Sequence, residues 1–329
     1  TAVVAAIMLA WLTFALVEKP LKTVKSNAKT AGLIIFIAAI GLIGYRTYSI
    51  KGFEERFKDR SEFTEYFENS LPDRNYFKRL NLKENFRVEC DFYDSEKYLA
   101  GKSTNVPVDE ISSVCYTKNS PNSKSVMLWG DSHAQQLYSG LKKTLPVDWD
   151  ILQIASSGCP ASPDIHEPSK TNFCDQSNWF ALNKITTIKP DVVIVAQESK
   201  HDPVVMKKIL DTLSKSGIHR VIFTGPTPHW TTNLPKTIVK SLWVNTPRRT
   251  TIGLDQSTIA ANTQIKRSLS GTKAIYADII SVFCNNEGCI TYLGDDVKSG
   301  ITSWDYGHLT PIASEFLASK LLKGLITNP

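Results

Sequence analysis

Ser125-Val126-Met127-Leu128-Trp129-Gly130-Asp131-Ser132-His133 is the stretch that decides the fold. Its continuous apolar run predicts a strand buried on both faces. Gly-Asp and Asp-Ser are turn formers, and a helical pattern follows over residues 134–145. Ser132 therefore stands where a buried strand turns sharply into a helix. An α/β protein presents a nucleophile at such a point, with backbone N–H groups nearby to hold an oxyanion. A serine nucleophile needs a base, and the base needs a group that fixes its tautomer. Far downstream, Trp304-Asp305-Tyr306-Gly307-His308-Leu309 supplies a carboxylate and an imidazole three residues apart. The competing readings are a helix N-cap for Ser132 and a structural surface histidine for His308. Asp131 reads as a turn-bonding residue rather than a second catalytic acid.

Outward from that stretch the chain alternates. Apolar strands are expected at 125–130, 151–155, 192–196, 221–224 and 274–279, and helices at 134–145, 178–188, 204–216, 256–268 and 311–325. Continuous apolar runs such as Val192-Val193-Ile194-Val195-Ala196 predict a parallel sheet with helices on both faces. In such sheets functional groups gather beyond the strand C-termini. Ser132 follows the first strand, Gly158 the second, Gln197 the third and residues 227–230 the fourth. Asp305 and His308 come just before the last helix, so all of them point to one rim.

The 329 residues are 42% hydrophobic and carry a formal charge of +6. No Lys/Arg stripe with interleaved aromatics is present, which argues against nucleic acid as a partner. The chain opens in an apolar run without an initiator methionine and reads as the C-terminal part of something longer. Residues 2–17 and 31–45 are apolar and are separated by Lys19, Lys22, Lys25 and Lys29. A cleavable signal peptide would carry its positive charges before the apolar region. The expectation is transmembrane helices over 1–48, each run being somewhat short of the ~20 residues of a full span. The lysine loop then lies on the cytoplasmic side and everything after Tyr48 on the other. Two buried core helices are the alternative. Residues 49–120 read as a linker or extension, in which Phe53, Phe57, Phe63, Tyr66 and Phe67 form an aromatic face ahead of Pro72. That face docks on the following domain, expected over 121–329, or rests at the membrane surface.

The six cysteines fall in sequence-near pairs: Cys90 with Cys115, Cys159 with Cys174, Cys284 with Cys289. This pairing by proximity is one of about 15 connectivities. An even count beyond a membrane fits an oxidising compartment. Zinc and scattered reduced thiols are the rivals, but no Cys-x-x-Cys pair exists and the histidines do not cluster in sequence near the cysteines. No metal is expected. His133, His166, His201, His219 and His229 read as surface or structural. Trp230 and Trp304 either wall a sugar site by stacking on pyranose rings or pack in the core.

These motifs resemble the SGNH/GDSL hydrolase superfamily. Gly130-Asp131-Ser132 matches its first block, which implies Ser132 as nucleophile and its N–H as an oxyanion donor. Gly158, within Ser156-Ser157-Gly158-Cys159-Pro160, stands at the second-block glycine, another backbone donor. Asp305-x-x-His308 matches the last block. The third block ordinarily carries Gly-x-Asn-Asp, whose asparagine completes the oxyanion hole. Here the stretch reads Ala196-Gln197-Glu198-Ser199, so the asparagine is absent and Gln197 is the substitute candidate. The fold implied is a flavodoxin-like parallel sheet.

A narrower resemblance covers nearly the whole chain. Val17-Glu18-Lys19-Pro20-Leu21-Lys22 is similar to the end of the membrane domain in acyltransferase-3 proteins. Fusions of that domain to a periplasmic SGNH domain add one helix, a linker, and Ser-Gly-Cys-Pro and Asp-x-x-His-Leu blocks, as bacterial O-antigen acetyltransferases do. The resemblance implies an inner-membrane protein whose membrane domain, upstream of Thr1, takes acetyl from cytoplasmic acetyl-coenzyme A. The SGNH domain would bind no cofactor and would pass acetyl to a sugar hydroxyl of a surface polysaccharide, lipopolysaccharide O-antigen. No Gly-rich phosphate loop is visible here to hold the coenzyme's diphosphate. A membrane-tethered carbohydrate esterase using the same triad is the first rival, and a non-catalytic polysaccharide-binding module the second.

Overall fold

The computed structural model describes residues 2–19, 27–49, 58–69 and 75–328. The chain separates into two compact units, Thr1–Ser61 and Glu62–Pro329. The first contains helices Ala2–Thr13 and Asn27–Ser49, with Ile34, Ile35, Phe36, Ile37 and Ile40 exposed along the second. Among the described residues no helix is long and apolar enough to cross a membrane. Lys22 and Lys25 of the basic loop lie outside the described residues, as do Phe53, Phe57 and Pro72.

The second unit is built on five strands. They are β1 (Lys124–Gly130), β2 (Trp149–Ala155), β3 (Val192–Ala196), β4 (Val221–Thr224) and, after a short strand β5 (Arg249–Thr250) that belongs elsewhere, β6 (Ile275–Ala277). The order is β2-β1-β3-β4-β6, and every neighbouring pair is parallel. That is the flavodoxin-like arrangement, whose topological switch point lies between β1 and β3. The register sets Gly130 beside Ala155 on one side and Ala196 on the other, so the ends of three strands meet where Ser132 follows.

Period-two alternation divides the strand side chains between two cores. Met127, Trp129, Val193, Val195 and Phe223 bury one face against Ala181, Ile185, Ile209 and Leu213. Val126, Leu128, Ile194 and Ile222 bury the other against Leu137, Leu141, Ala313 and Leu317. The helices start where polar caps permit. Asn172 accepts from the N–H groups of Cys174 and Asp175 at the head of Phe173–Ile188. Asp202 precedes Pro203, and Thr310 precedes Pro311, each pairing a side-chain cap with a proline in the first turn. The helix expected over 134–145 is broken into Ser132–Gln135 and Tyr138–Thr144.

A second, antiparallel sheet was not foreseen. It has the order β5-β8-β7, with β7 (Cys284–Asn285) and β8 (Gly288–Ile290) forming a hairpin. Strands of two or three residues are too short for periodicity to register.

A third apolar cluster joins the extension to the domain. Phe63, Phe67, Tyr76, Leu80 and Phe86 are buried with Trp230, Leu234, Ile238, Ile301 and Trp304. The described part of the aromatic face thus docks on the protein itself, and residues 62–120 belong to the same compact unit as the sheet.

Candidate active site

The turn after β1 requires its glycine. Gly130 has φ +141°, and a Cβ there would lie 1.8 Å from the Ala196 carbonyl oxygen. Close approach lets the Asp131 N–H donate to that carbonyl at 3.3 Å, which locks the turn onto β3. Asp131 then caps the helix Ser132–Gln135. Its Oδ1 accepts from the His133 N–H and its Oδ2 from the Glu198 N–H, both at 2.8 Å. Burial pushes the Asp131 carboxyl up to about 6, against the lowering effect of those two backbone donors. The residue bonds the turn, as its place in the sequence suggests.

Three side chains meet at the rim. Ser132 Oγ lies 2.8 Å from His308 Nε2, and His308 Nδ1 lies 2.7 Å from Asp305 Oδ2. The other carboxylate oxygen, Oδ1, accepts from the N–H groups of Gly307 and His308 at 2.9 and 2.7 Å. Asp305 is thereby oriented by its own loop before it orients the imidazole. Burial alone would lower the His308 pKa, but the charge and hydrogen bond of Asp305 outweigh it and hold the ring above its usual value.

The two halves of this arrangement are fastened to each other. Gln136, four residues past the serine, accepts from the Leu309 N–H at 2.6 Å through Oε1. Its carbonyl accepts from Ser314 Oγ at 2.6 Å, and Ser314 Oγ in turn accepts from the Gly140 N–H at 3.1 Å. From the opposite side, the loop after β4 grips the acid–base loop. Thr227 Oγ1 donates to the Gly307 carbonyl, the Trp230 N–H to that of Tyr306 and the Leu234 N–H to that of Asp305. A local sequence pattern shows none of these partners.

Gly158 lies beside Ser132 and His308 along one cleft, at φ +70° with no atom within 4 Å of where a Cβ would stand. Its loop is braced by Asp91, which sequence reasoning missed. Asp91 Oδ2 accepts from Ser157 Oγ at 2.7 Å and from Gln135 Nε2 at 2.9 Å, and so ties the Gly158 loop to the helix that carries Ser132. Burial raises the Asp91 pKa, with the Ser157 and Gln135 hydrogen bonds working against it. The six cysteines form the three proximity pairs, and no cysteine is free. Cys90–Cys115 adjoins Asp91 and Cys159–Cys174 adjoins Gly158. Asn178 binds the second bridge to β1, its Oδ1 accepting from Trp129 Nε1 at 2.9 Å and its Nδ2 donating to the Cys174 carbonyl at 3.2 Å.

Three expectations are corrected. Gln197 is not placed as an oxyanion donor: its Nε2 donates to the carbonyls of Ser199 and Lys200 at 2.8 and 2.9 Å, so the amide is committed to its own loop. Trp230 is buried in the third apolar cluster and does not line the cleft at Ser132. Trp304 does line that cleft, but it is buried, and its indole stacks on His308 at 5.0 Å and on Tyr76 at 5.5 Å. It is not open to a pyranose. The histidines apart in sequence also converge: the His133 ring lies 4.6 Å from that of His308 and 5.8 Å from that of His229. His133 is buried, and burial holds its pKa well below the usual value. No group of His, Cys, Asp and Glu among the described residues is arranged to hold a metal ion.

No curated protein matches the chain in sequence. Among solved structures, the periplasmic domain of the Salmonella ser. Paratyphi A lipopolysaccharide acetyltransferase is similar, at 22% identity and a TM-score of 0.60, over 76% of this chain and 96% of that one. At that identity the likeness speaks for the fold. A family model described as "SGNH domain (fused to AT3 domains)" matches residues 95–323, from the short helix that bears Tyr98 to the last helix. With more than half of the chain matched, and with the serine, histidine and aspartate brought together at the sheet's switch point, the chain belongs to the SGNH domains of the kind fused to AT3 domains.

Proposed function

We propose that this domain transfers an acetyl group to a sugar hydroxyl of a surface polysaccharide, as the periplasmic part of a membrane-anchored acyltransferase. The observation that carries the reading is the unbroken path from Ser132 Oγ through His308 to Asp305. His308 takes the Ser132 proton on Nε2 while Asp305 holds Nδ1–H and stabilises the imidazolium. Ser132 attacks the acyl carbonyl, and the backbone N–H groups of Ser132 and Gly158 stabilise the oxyanion. Collapse expels the donor's leaving group, which takes the proton from His308, and leaves an acyl-serine. A sugar hydroxyl then gives its proton to His308 and attacks the ester, which restores Ser132.

The family's fusion to AT3 domains and the likeness to the periplasmic domain of a lipopolysaccharide acetyltransferase support a transferase over a free-standing hydrolase. In this reading acetyl originates from cytoplasmic acetyl-coenzyme A and crosses through a membrane domain upstream of Thr1, with residues 1–48 as membrane helices. Because the acid, base and nucleophile all reside in this unit, a membrane-tethered esterase is the second reading. The protein should release p-nitrophenol from p-nitrophenyl acetate slowly and only with Ser132 present. Co-expressed with the membrane domain, it should acetylate polysaccharide, and Ser132→Ala should abolish this. Rapid deacetylation of an acetylated polysaccharide by the protein would favour the esterase instead.

A further inference from the structure

The cleft at Ser132 has a volume of about 440 Å³ and an unusual lining. The lining holds a cluster of three rings: Tyr93 lies 5.7 Å from Tyr98 and 4.9 Å from Phe173, centre to centre. All three are partly exposed, and all three line the cleft with Ser132 and His308. The Asn105 carbonyl accepts from the Phe173 N–H at 2.8 Å, which fixes the last ring to the loop bearing Ser103 and Thr104. Among the described residues, no Asp, Glu, Lys or Arg lines this cleft. A second cavity of about 360 Å³ beyond β3 and β4 carries Glu198, Lys200, His201 and Asp255 instead. The lysine and carboxylates of that second cavity do not line the cleft at Ser132.

We infer that the ring cluster Tyr93, Tyr98 and Phe173 is the acceptor platform and that it selects a neutral pyranose over an acidic one. This rests on the acyl-transfer reading above. The C–H face of a pyranose is weakly positive and packs on the negative face of an aromatic ring. Its hydroxyls meet neutral partners of the kind that Ser103, Thr104 and Asn105 offer. With His308 in the neutral form that acts as base, a uronate carboxylate entering the same space would lose water without meeting a cation, at a cost that this lining does not offset. Trp304, buried and stacked on His308, acts on the base rather than on the sugar.

Saturation-transfer NMR on the whole chain tests this, with methyl β-D-glucopyranoside and the corresponding methyl glucuronide as probes. The glucoside ring protons receive transfer, and the uronate signal is weaker by about tenfold, the equivalent of ~1.4 kcal/mol. Tyr98→Ala and Phe173→Leu, each checked for native circular dichroism, weaken the glucoside signal by about threefold or more, and Tyr98→Phe restores it. Equal transfer to both probes, no transfer to the glucoside, or a signal unmoved by both ring variants overturns the assignment. Ser132-dependent cleavage of p-nitrophenyl acetate, measured on the same sample, reports separately on the acyl-transfer reading. Its absence alongside selective sugar binding overturns that reading and leaves a neutral-sugar site without chemistry.

Discussion

The indole of Trp304 lies 14° from parallel to the His308 imidazole, with ring centres 5.0 Å apart. Tyr76 also stacks on the indole, and Phe77 meets it edge-on at 5.0 Å. The base is therefore clamped by packing as well as by its hydrogen bond to Asp305. Removing so large a buried side chain should destabilise the fold by about 3–5 kcal/mol. Trp304→Ala should show this in urea unfolding and should also slow ester cleavage, because His308 loses its wall. Trp304→Phe should recover most of both.

Ser132, His308 and Asp305 act as a unit, so their losses should not add. Ser132→Ala and His308→Ala should each nearly abolish p-nitrophenyl acetate cleavage, and the double variant should be little worse than either. Asp305→Asn should cost on the order of 10³–10⁴-fold by stabilising the wrong tautomer. Full activity in Ser132→Ala would sink the enzymatic reading.

The pH dependence follows from the balance at His308. Burial disfavours the imidazolium, and the Asp305 carboxylate more than compensates, so the ring titrates above its ordinary value of 6.5. Only the neutral ring accepts a proton. Ester cleavage should therefore rise with pH, with a midpoint above 6.5 in the pH–rate profile. In Asp305→Asn burial prevails, and the midpoint of the residual activity should fall. The same raised value favours the folded state at acidic pH, a contribution that fades as pH rises through the folded-state pKa.

Two glycines on this rim should behave differently. A Cβ at Gly130 would lie 1.8 Å from a backbone oxygen, whereas at Gly158 it would meet nothing within 4 Å. Gly130→Ala should prevent accumulation of folded protein. Gly158→Ala should cost only the roughly 1–2 kcal/mol of a left-handed non-glycine residue. Thermal unfolding of the two variants distinguishes these outcomes.

Much of this was legible in the sequence because the signals were long or paired. Five apolar runs at α/β spacing gave the parallel sheet, and Gly130-Asp131-Ser132 with Asp305-x-x-His308 gave the residues that meet at its rim. The proximity pairing of the cysteines also matches the three bridges. What stayed hidden depends on contacts across the fold. Asp91 looks like any surface aspartate until Ser157 and Gln135, 66 and 44 positions away, arrive at its carboxylate. Gln197 follows the right strand for an oxyanion donor, but its direction is set by the Ser199 and Lys200 carbonyls of its own loop. Trp304 adjoins the acid in sequence, yet it is buried against Tyr76 from far upstream.

The ring cluster of the cleft comes from residues 93–98 and Phe173, whereas the reactive groups come from the turn after β1 and from the segment just before Pro311. Chemistry and recognition are thus written in different stretches of one chain. The ring cluster is thereby separate in sequence from Ser132, Asp305 and His308, while Asp91 in the same upstream stretch braces the Gly158 loop. A variant that exchanges only Tyr93, Tyr98 and Phe173 for a relative's residues, with Asp91 and Cys90 kept, would test that separation in a single step.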